Sequence, residues 1–448
     1  MPMSPNDKGR RTPAGQAAEP PMDRIAFDPA DPKAALSQLP QRPAVFALYG
    51  AEAHAEPYIG RTPNLRGRLE RLLQPSPKHP RRLQLAGRVR RIEWRLTGSD
   101  FESLLAQFSL LEQVYGAKAL ERMHLGAPAF VRYLGTNPYP RITVTNRPSQ
   151  READWAYGPF ASRAAAERFA DEALKLFLLR RCTDDLNPDP SFPGCVYSEM
   201  KMCLAPCYKG CTDERYDEES TAVERFLATR GESRLVTLRA QRDDASADLE
   251  FETAAALHAQ VQKVESVRAL APELVRPLSR LQGVILQASA QPDEVSVFLF
   301  ENGRLRGPAP FSTLGMRIQN EQSGSSSLFA QPMALEPVPE EAAAEGTGNR
   351  DQGSEVRPQR APNRKAVRGT LEARMEDSLA SLAETKGVPT ATVRQGHLAL
   401  LKRWYYRPEA KRVGEIFFPD TEGHWPIRAV LRGVGRIAAK SLTSASES

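Results

Sequence analysis

Apolar residues recur with two different periods along the first third of the chain. Short apolar runs at 44–49 and 57–60, separated by a polar break, are typical of two β-strands. A helical period follows, and it returns over 99–115, where Ser99 and Glu102 form a capping-box pattern. We therefore predict a small α/β domain over 41–125. The residues that carry the first helical period are Leu65, Leu69, Leu72 and Leu73.

Strand and helix patterns alternate through the middle of the chain. Short β-type runs lead into a segment that holds every cysteine, and we assign 126–215 to a cysteine-rich α+β domain. Residues 216–270 contain no proline and are rich in Ala, Glu, Leu and Arg, which predicts two helices that meet as a hairpin near Gly231. Alternating apolar residues and an Asn-Gly turn predict a short β segment over 271–318.

Two tracts lack a pattern that could form a core. Residues 1–40 are rich in Pro, Ala and charge, and we predict a disordered arm. Residues 319–370 are rich in Ser, Pro, Ala and Glu, and we predict a disordered linker. Periodic apolar spacing returns over 371–448, a small C-terminal region to which the pattern assigns no role. The predicted fold class is α+β, built from several small domains.

Composition narrows the class of protein. The 448 residues are 41% hydrophobic and 26% charged, which is ordinary for a globular protein. No apolar run approaches the roughly 18 residues that a membrane-spanning helix needs. The N-terminus lacks the apolar centre of a secretory signal. We therefore expect a cytoplasmic protein.

Positive charge is concentrated after the second predicted strand. The net charge is +6, yet residues 61–95 alone contain eleven Lys or Arg and only two acids. Such a segment suits a polyanion, because each neutralised phosphate releases condensed counterions. The alternative is a solvated basic face with no ligand. The candidate contacts to double-stranded DNA are Arg66, Arg71, Arg81, Arg82, Arg88 and Arg90.

All five cysteines fall within thirty residues. Because cytosolic thiols stay reduced, this density indicates a metal or cluster site before it indicates disulfides. The spacing alone does not separate an iron–sulfur cluster from zinc, since both use four thiolates. Unliganded cysteines are the other alternative, and Cys211 repeats the last spacing and could compete as a ligand. The first four are Cys182, Cys195, Cys203 and Cys207, separated by 12, 7 and 3 residues.

Three stretches of the sequence together resemble one family. PYIGRTPNLRGRL at 57–69, preceded by AVF at 44–46, resembles the GIY-YIG nuclease domain of the UvrC family, the incising subunits of bacterial nucleotide-excision repair. The sequence from LRRC through CVYSEMKMCLAPC resembles the cysteine segment of that family. LEFETAAAL at 249–257 resembles the UVR motif, through which UvrC and UvrB associate. The resemblance covers roughly 41–311.

This resemblance implies an activity, a cofactor and a partner. The activity is Mg²⁺-assisted hydrolysis of one phosphodiester on the 3′ side of a lesion, with Tyr58 activating water, Arg68 stabilising the phosphate and Arg61 replacing the usual lysine. The cofactor is a [4Fe–4S] cluster on the first four cysteines, with zinc as the alternative. The partner is a UvrB-like protein. Its implied contacts on the helical hairpin are Phe251, Ala254, Ala255 and Val261.

Several positions depart from the family pattern. The first motif tyrosine is Phe46, the metal-holding glutamate is Gln107, and Phe130 stands where an asparagine is expected. Because Mg²⁺ prefers charged oxygen ligands, a neutral amide at 107 weakens the expected metal site. Two interpretations follow: an endonuclease rescued by Glu102 or by a residue outside the motif, or an inactive platform or regulatory DNA binder.

Two C-terminal motifs are compatible with nucleic-acid contact. Gly433-Val434-Gly435 resembles a helix-hairpin-helix turn, and Trp404-Tyr405-Tyr406 could stack on unpaired bases. For the aromatic residues, packing in a core is the favoured alternative.

Overall fold

The computed structural model describes residues 22–52, 54–74, 85, 87–314, 316, 364–384 and 387–446. Within these residues the chain forms three four-stranded antiparallel sheets surrounded by helices. The predicted α+β class is confirmed. No helix in the described ranges is long and apolar enough to cross a membrane. The predicted linker lies outside the described residues, apart from 364–370, which begin a helix.

The N-terminal part is a sheet with helices on both faces. Its elements are β1 (Asp23–Ala26), α1 (Pro32–Leu36), β2 (Ala44–Gly50), β3 (Tyr58–Thr62), α2 (Leu65–Leu73), β4 (Val89–Leu96), α3 (Asp100–Tyr115) and the short α4 (Ala119–Arg122). The strand order is β1-β4-β2-β3. The α2 leucines of the predicted period are all buried against one face of this sheet. Ser99 caps α3 by accepting from the Glu102 N–H, as the capping-box pattern predicts.

The arm predicted for 1–40 is wrong from residue 22 onward. Strand β1 pairs with β4 from Asp23 opposite Trp94 to Ala26 opposite Arg91. The side chains of Phe27, Leu36 and Leu39 are buried in the core beneath α2. The prediction relied on the average composition of this segment, which is polar. Its few apolar residues are nevertheless sufficient to pack it onto the sheet, because they are buried there.

The middle part contains a second sheet and a group of helices. Its elements are β5 (Ala129–Tyr133), β6 (Ile142–Thr145), β7 (Ala156–Phe160), α5 (Arg163–Leu174), α6 (Val196–Glu199), α7 (Asp213–Ala228), α8 (Glu232–Ala247), α9 (Phe251–Ala269) and β8 (Arg276–Pro277). The strand order is β6-β5-β7-β8. Its core is formed mainly by β5, β7, α5, α7 and the buried valines of α9.

The predicted two-helix hairpin is in fact a run of three helices. The first break is at Gly231, as predicted, with a φ of +84° that favours glycine. A second break follows at 248–250, where Leu249 has a φ of +61°. Helices α8 and α9 therefore form the hairpin. The second break contains neither Gly nor Pro, the residues that usually indicate a helix end, so the sequence did not predict it.

The C-terminal part is built on a third sheet. Its elements are β9 (Gly283–Ala288), β10 (Glu294–Glu301), β11 (Arg304–Ser312), α10 (Arg364–Ala383), α11 (Ala391–Tyr405), β12 (Glu415–Phe417) and α12 (Ile427–Ser446). The strand order is β11-β10-β9-β12. Because β12 pairs with β9, the predicted β segment and the predicted C-terminal region form one unit.

Helices cover both faces of this third sheet. Helices α10 and α12 cover the face that carries Val284 and Leu286, while α11 lies over the face that carries Ile285 and Phe298. Helix α3 of the N-terminal part enters this second core, so that Phe101 contacts Phe298 and Trp404 edge-on or tilted. The N-terminal and C-terminal parts therefore share one hydrophobic core.

The two C-terminal motifs lie in this packed interior. Gly433 is inside continuous helix α12, and a Cβ there would lie 2.6 Å from the Phe417 ring. The helix-hairpin-helix interpretation is therefore wrong. Trp404 is 2% exposed and donates its indole N–H to the Val413 carbonyl, which makes it a core residue.

Candidate functional site

Strand β3 separates two of the predicted catalytic residues. Side chains alternate between the faces of a strand, so Tyr58 and Arg61 point to opposite sides of the sheet. Tyr58 lies on the α1 and α2 side, with its ring 6.1 Å from Phe46. Arg61 lies on the α3 side, where it pairs with Asp100. Arg68, on α2, is on the same side as Tyr58.

Phe46 is a core residue in this arrangement. It is 1% exposed and lies opposite Gly60 in the β2–β3 pairing. A Cβ at Gly60 would lie 2.8 Å from the Phe46 ring, so the glycine makes room for the phenyl group. Within the described residues, the side chains of Tyr58 and Arg68 have no hydrogen-bond or ion-pair partner.

Asp100 joins the predicted site to the C-terminal part of the chain. Its two carboxylate oxygens pair with Arg61 of β3 and with Arg407, which follows α11. Burial acts to raise the pKa of Asp100, but the hydrogen bonds and charges of Arg407 and Arg61 outweigh it and lower the pKa. Asp100 is thus a charged clamp between two arginines. The pairing of Arg407 with this site is long-range, and no local sequence pattern indicated it.

The remaining candidate metal ligands of α3 are either hydrogen-bonded within the protein or uncharged. Glu102 is 6% exposed, and its Oε2 accepts from the Gly98 N–H at 2.9 Å. Burial raises the pKa of Glu102, although the Gly98 hydrogen bond and the charge of Arg95 oppose that effect. Gln107 is partly buried and offers only an amide. In the part of the chain that the structure describes, no three His, Cys, Asp or Glu side chains stand close enough to hold a metal ion.

Phe130 lies in a different sheet from the predicted catalytic residues. It is fully buried on β5, and its ring packs against Gly158 of β7, where a Cβ would lie 2.5 Å away. The structure therefore places Phe130 in the core beneath α3 and not beside Tyr58.

The basic residues fall into two groups. Arg71, Arg88 and Arg90 are exposed on the N-terminal part. Arg66 instead donates to the carbonyls of Leu39 and Ser37 at 2.7 and 2.8 Å, which fixes the loop after α1. This use of its guanidinium favours a structural role for Arg66. Arg81 and Arg82 lie outside the described residues.

The implied partner-binding residues also divide by exposure. Phe251 is 66% exposed at the start of α9, beside the hairpin turn, where Leu249 is 71% exposed. Ala255 is exposed and Ala254 is partly buried. Val261 is 3% exposed and packs in the middle core, so its prediction as a partner contact is wrong. Val261 follows the exposed Ala255 by six residues, about 120° around the helix, which places it on the inner face of α9.

The cysteines are free thiols, and four of them influence one another. Burial raises the pKa of Cys203, and proximity to Cys195, Cys207 and Cys182 raises it further. Burial raises the pKa of Cys211, the charge of Asp213 raises it further, and Cys207 is the only cysteine that contributes. The structure thus brings the four predicted ligands into one neighbourhood and leaves Cys211 at its edge. The four thiols are not at ligand distance in this arrangement.

Unusual backbone conformations shape the cysteine segment. Lys201, Ala205 and Lys209 all have φ between +54° and +59°, in the left-handed region that non-glycine residues rarely adopt. The Cys207 carbonyl accepts from the Asp189 N–H, and the Cys195 N–H donates to the Ser198 hydroxyl. Conformations of this kind persist where the surroundings fix them, and they concentrate at functional sites.

One buried and one partly buried arginine lie near the first cysteine. Arg180 is 3% exposed, and its guanidinium donates to the carbonyls of Tyr139 and Asp184 and lies 3.6 Å from the Cys182 Sγ. The Nε atoms of Arg141 and Arg181 are buried and have no hydrogen-bond partner among the described residues. Burial lowers the pKa of Arg141, as does the charge of Arg180, while Cys182 opposes both. A buried guanidinium such as that of Arg180 favours an anionic group nearby.

Comparisons with known proteins agree on one family. Residues 130–226 match the family model described as the UvrC/Cho excinuclease middle domain. The UvrABC system protein C of Alcanivorax borkumensis is 28% identical over 238 residues, which is 53% of this chain and 39% of the relative. The protein of the same name from Haemophilus ducreyi is 29% identical, covering 53% of this chain and 38% of the relative.

A third relative extends the matched part. The UvrABC system protein C of Ruminiclostridium cellulolyticum is 27% identical over 296 residues, which is 65% of this chain and 47% of the relative. The chain therefore spans less than half the length of the curated relatives it matches. No solved structure matches it. Over the part that these comparisons cover, the chain is similar to proteins of the UvrC family.

Proposed function

We propose that this protein acts in nucleotide-excision repair as a UvrC-related platform that binds DNA and a UvrB-like partner, with an impaired GIY-YIG centre. The observation that carries the proposal is the clamp at Asp100, which engages Arg61 together with Arg407. A cation that is neutralised in this way is poorly placed to stabilise a phosphate during hydrolysis.

Metal-assisted hydrolysis needs more than a tyrosine and an arginine. It requires carboxylates to hold Mg²⁺, a group that activates water, and a cation at the developing charge. Here Asp100 and Glu102 are engaged and position 107 is an amide. Tyr58 and Arg68 remain as the only predicted pair on one face, and the active endonuclease built on them is the alternative function.

The cysteine site belongs to the same proposal. Cys182, Cys195, Cys203 and Cys207 would hold a [4Fe–4S] cluster, or zinc as the alternative. Four thiolates around either centre carry a net charge of about −2, which the buried Arg180 and the partly buried Arg141 would offset. Such a site stabilises the fold when loaded, because binding energy at a structural metal centre is also folding energy. The donor set and its charged surroundings therefore fit either centre.

The proposed contacts to DNA and to the partner lie on separate surfaces. The exposed Arg71, Arg88 and Arg90 present positive charge on the N-terminal part. The exposed apolar residues Leu249 and Phe251 stand at the tip of the α8–α9 hairpin, where a partner helix could cover them.

A nicking assay tests the platform against the endonuclease. The full chain is incubated with damaged duplex, Mg²⁺ or Mn²⁺ and a UvrB-like protein, and Arg68→Ala and Gln107→Glu are compared with it. The platform predicts duplex binding without nicking by the wild-type chain. Nicking that disappears in Arg68→Ala would refute the platform and support the alternative. Nicking gained only in Gln107→Glu would identify the missing carboxylate as the defect.

A further inference from the structure

Helix α12 carries a row of cations on its outer face. Arg428, Arg432, Arg436 and Lys440 follow one another at four-residue intervals, and Ile427–Ser446 contains no Asp or Glu. All four lie at exposed positions. Every fourth residue lies on nearly the same helix face, displaced by about 40° and about 6 Å along the axis. The row therefore extends over about 18 Å as a continuous basic strip.

The opposite face of α12 is part of the hydrophobic core. Val430, Val434 and Ile437 are at most 5% exposed and pack against the β9–β10 face of the third sheet. This anchoring holds the basic strip rigidly outward. It also excludes a helix that lies in a membrane surface, because such a helix must insert its apolar face into lipid.

The ion pairs along the strip are exposed and exchangeable. Arg428 pairs with Glu372 at 3.1 Å while its side chain is 85% exposed, and Arg436 pairs with Glu415 while its side chain is 52% exposed. Arg432 has no ion-pair partner among the residues that the structure describes. Exposed ion pairs contribute little to stability, so a phosphate can replace either carboxylate.

We propose that the outer face of α12 is a second DNA-binding surface that contacts the phosphate backbone of duplex DNA. Duplex DNA carries a phosphate about every 3.4 Å of axis on each strand, so cations about 6 Å apart can each meet a separate phosphate. Contacts of this kind position a protein on DNA without reading the base sequence. The inference rests on the DNA-binding part of the proposed function and adds a surface on the C-terminal part of the chain.

The salt dependence of binding tests the surface. Affinity of the full chain for a labelled duplex is measured by fluorescence anisotropy across a range of salt concentrations, for wild type and for Arg428→Gln/Arg432→Gln/Arg436→Gln. Each lost phosphate contact lowers the slope of log K against log salt by about 0.9, so we expect a slope smaller by about 2.7. A matched control removes three arginines paired with acids elsewhere, Arg163, Arg215 and Arg242, by the same change to Gln.

Three results would overturn the inference. The first is an α12 variant with the slope of wild type, and the second is a control variant that loses as much slope as the α12 variant. The third is a wild-type chain that binds no duplex, which would also refute DNA binding in the proposed function. A variant of the N-terminal surface, Arg71→Gln/Arg88→Gln/Arg90→Gln, separates the two proposals. Loss of slope in that variant alone would leave the proposed function standing and refute the role of α12.

Discussion

His397 is enclosed where α11 meets β11 and α3, and its burial predicts a pH dependence of stability. It is 5% exposed, its Nδ1 accepts from the Leu305 N–H at 2.9 Å, and its ring packs against Phe108. Burial lowers the pKa of His397 to about 3, and the charge of Arg304 acts in the same direction. The histidine is therefore neutral in the folded protein at every physiological pH.

The sign of the effect follows from the two pKa values. In the unfolded chain His397 takes up a proton below its ordinary pKa of about 6.5, whereas the folded chain excludes that proton until the pH approaches 3. The stability contributed by the neutral ring is complete above pH 6.5 and falls between pH 6.5 and 3. Between pH 7.5 and 5 the free energy of unfolding should fall by about 2 kcal/mol on this account.

Urea unfolding of wild type and of His397→Gln at pH 7.5 and pH 5 measures how much unfolding free energy each protein loses between the two pH values. The glutamine amide oxygen can still accept from the Leu305 N–H, but it does not titrate. We expect the wild type to lose about 2 kcal/mol more than the variant over this pH range, while groups common to both, such as Glu102, cancel in the comparison. Equal losses in the two proteins would refute the assignment of a neutral, proton-excluding His397.

Three further predictions concern packing, metal content and partner binding. Gly396→Ala should lower the unfolding free energy by about 1–3 kcal/mol or more in urea titrations, because its Cβ would lie 2.1 Å from the Phe108 ring; a change near zero would contradict the close contact of α11 and α3. Cys203→Ser should abolish bound iron or zinc in elemental analysis, whereas Cys211→Ser should retain it, and the reverse result would exchange their roles. Phe251→Ala should weaken binding of a UvrB-like protein by about tenfold without changing the melting temperature, since its side chain is 66% exposed; unchanged affinity would remove the hairpin tip from the interface.

Local periodicity was sufficient to predict β2, β3, α2 and α3 of the N-terminal part, but not β1, α1 or β4. The leucine spacing of α2 and the Ser99 cap of α3 both correspond to observed helices, because each depends on neighbouring residues alone. The four cysteines expected to act together also share one neighbourhood. The short spacing between these cysteines in the sequence limits how far apart they can lie, because the intervening loops are short.

Features that depend on distant parts of the chain could not be predicted. The pairing of Asp100 with Arg407 joins residues more than three hundred positions apart. The addition of β12 to the third sheet likewise depends on a strand of three residues, too short to show a pattern of its own. The interior position of Val261 depends on which face of α9 packs into the middle core, and tertiary packing rather than the local motif determines that face.

Helix α3 and the C-terminal sheet share one core, and this affects the cooperativity of unfolding. In any fragment that ends before the third sheet, Phe101 loses its contacts with Phe298 and Trp404 and Phe108 loses its contact with His397. Full burial of such a side chain contributes about 1.5–3 kcal/mol. The first and last parts of this chain should therefore unfold in a single transition. An isolated N-terminal fragment should be prone to aggregation through the apolar side of α3, so the N-terminal sheet and its helices should not fold as a separate module.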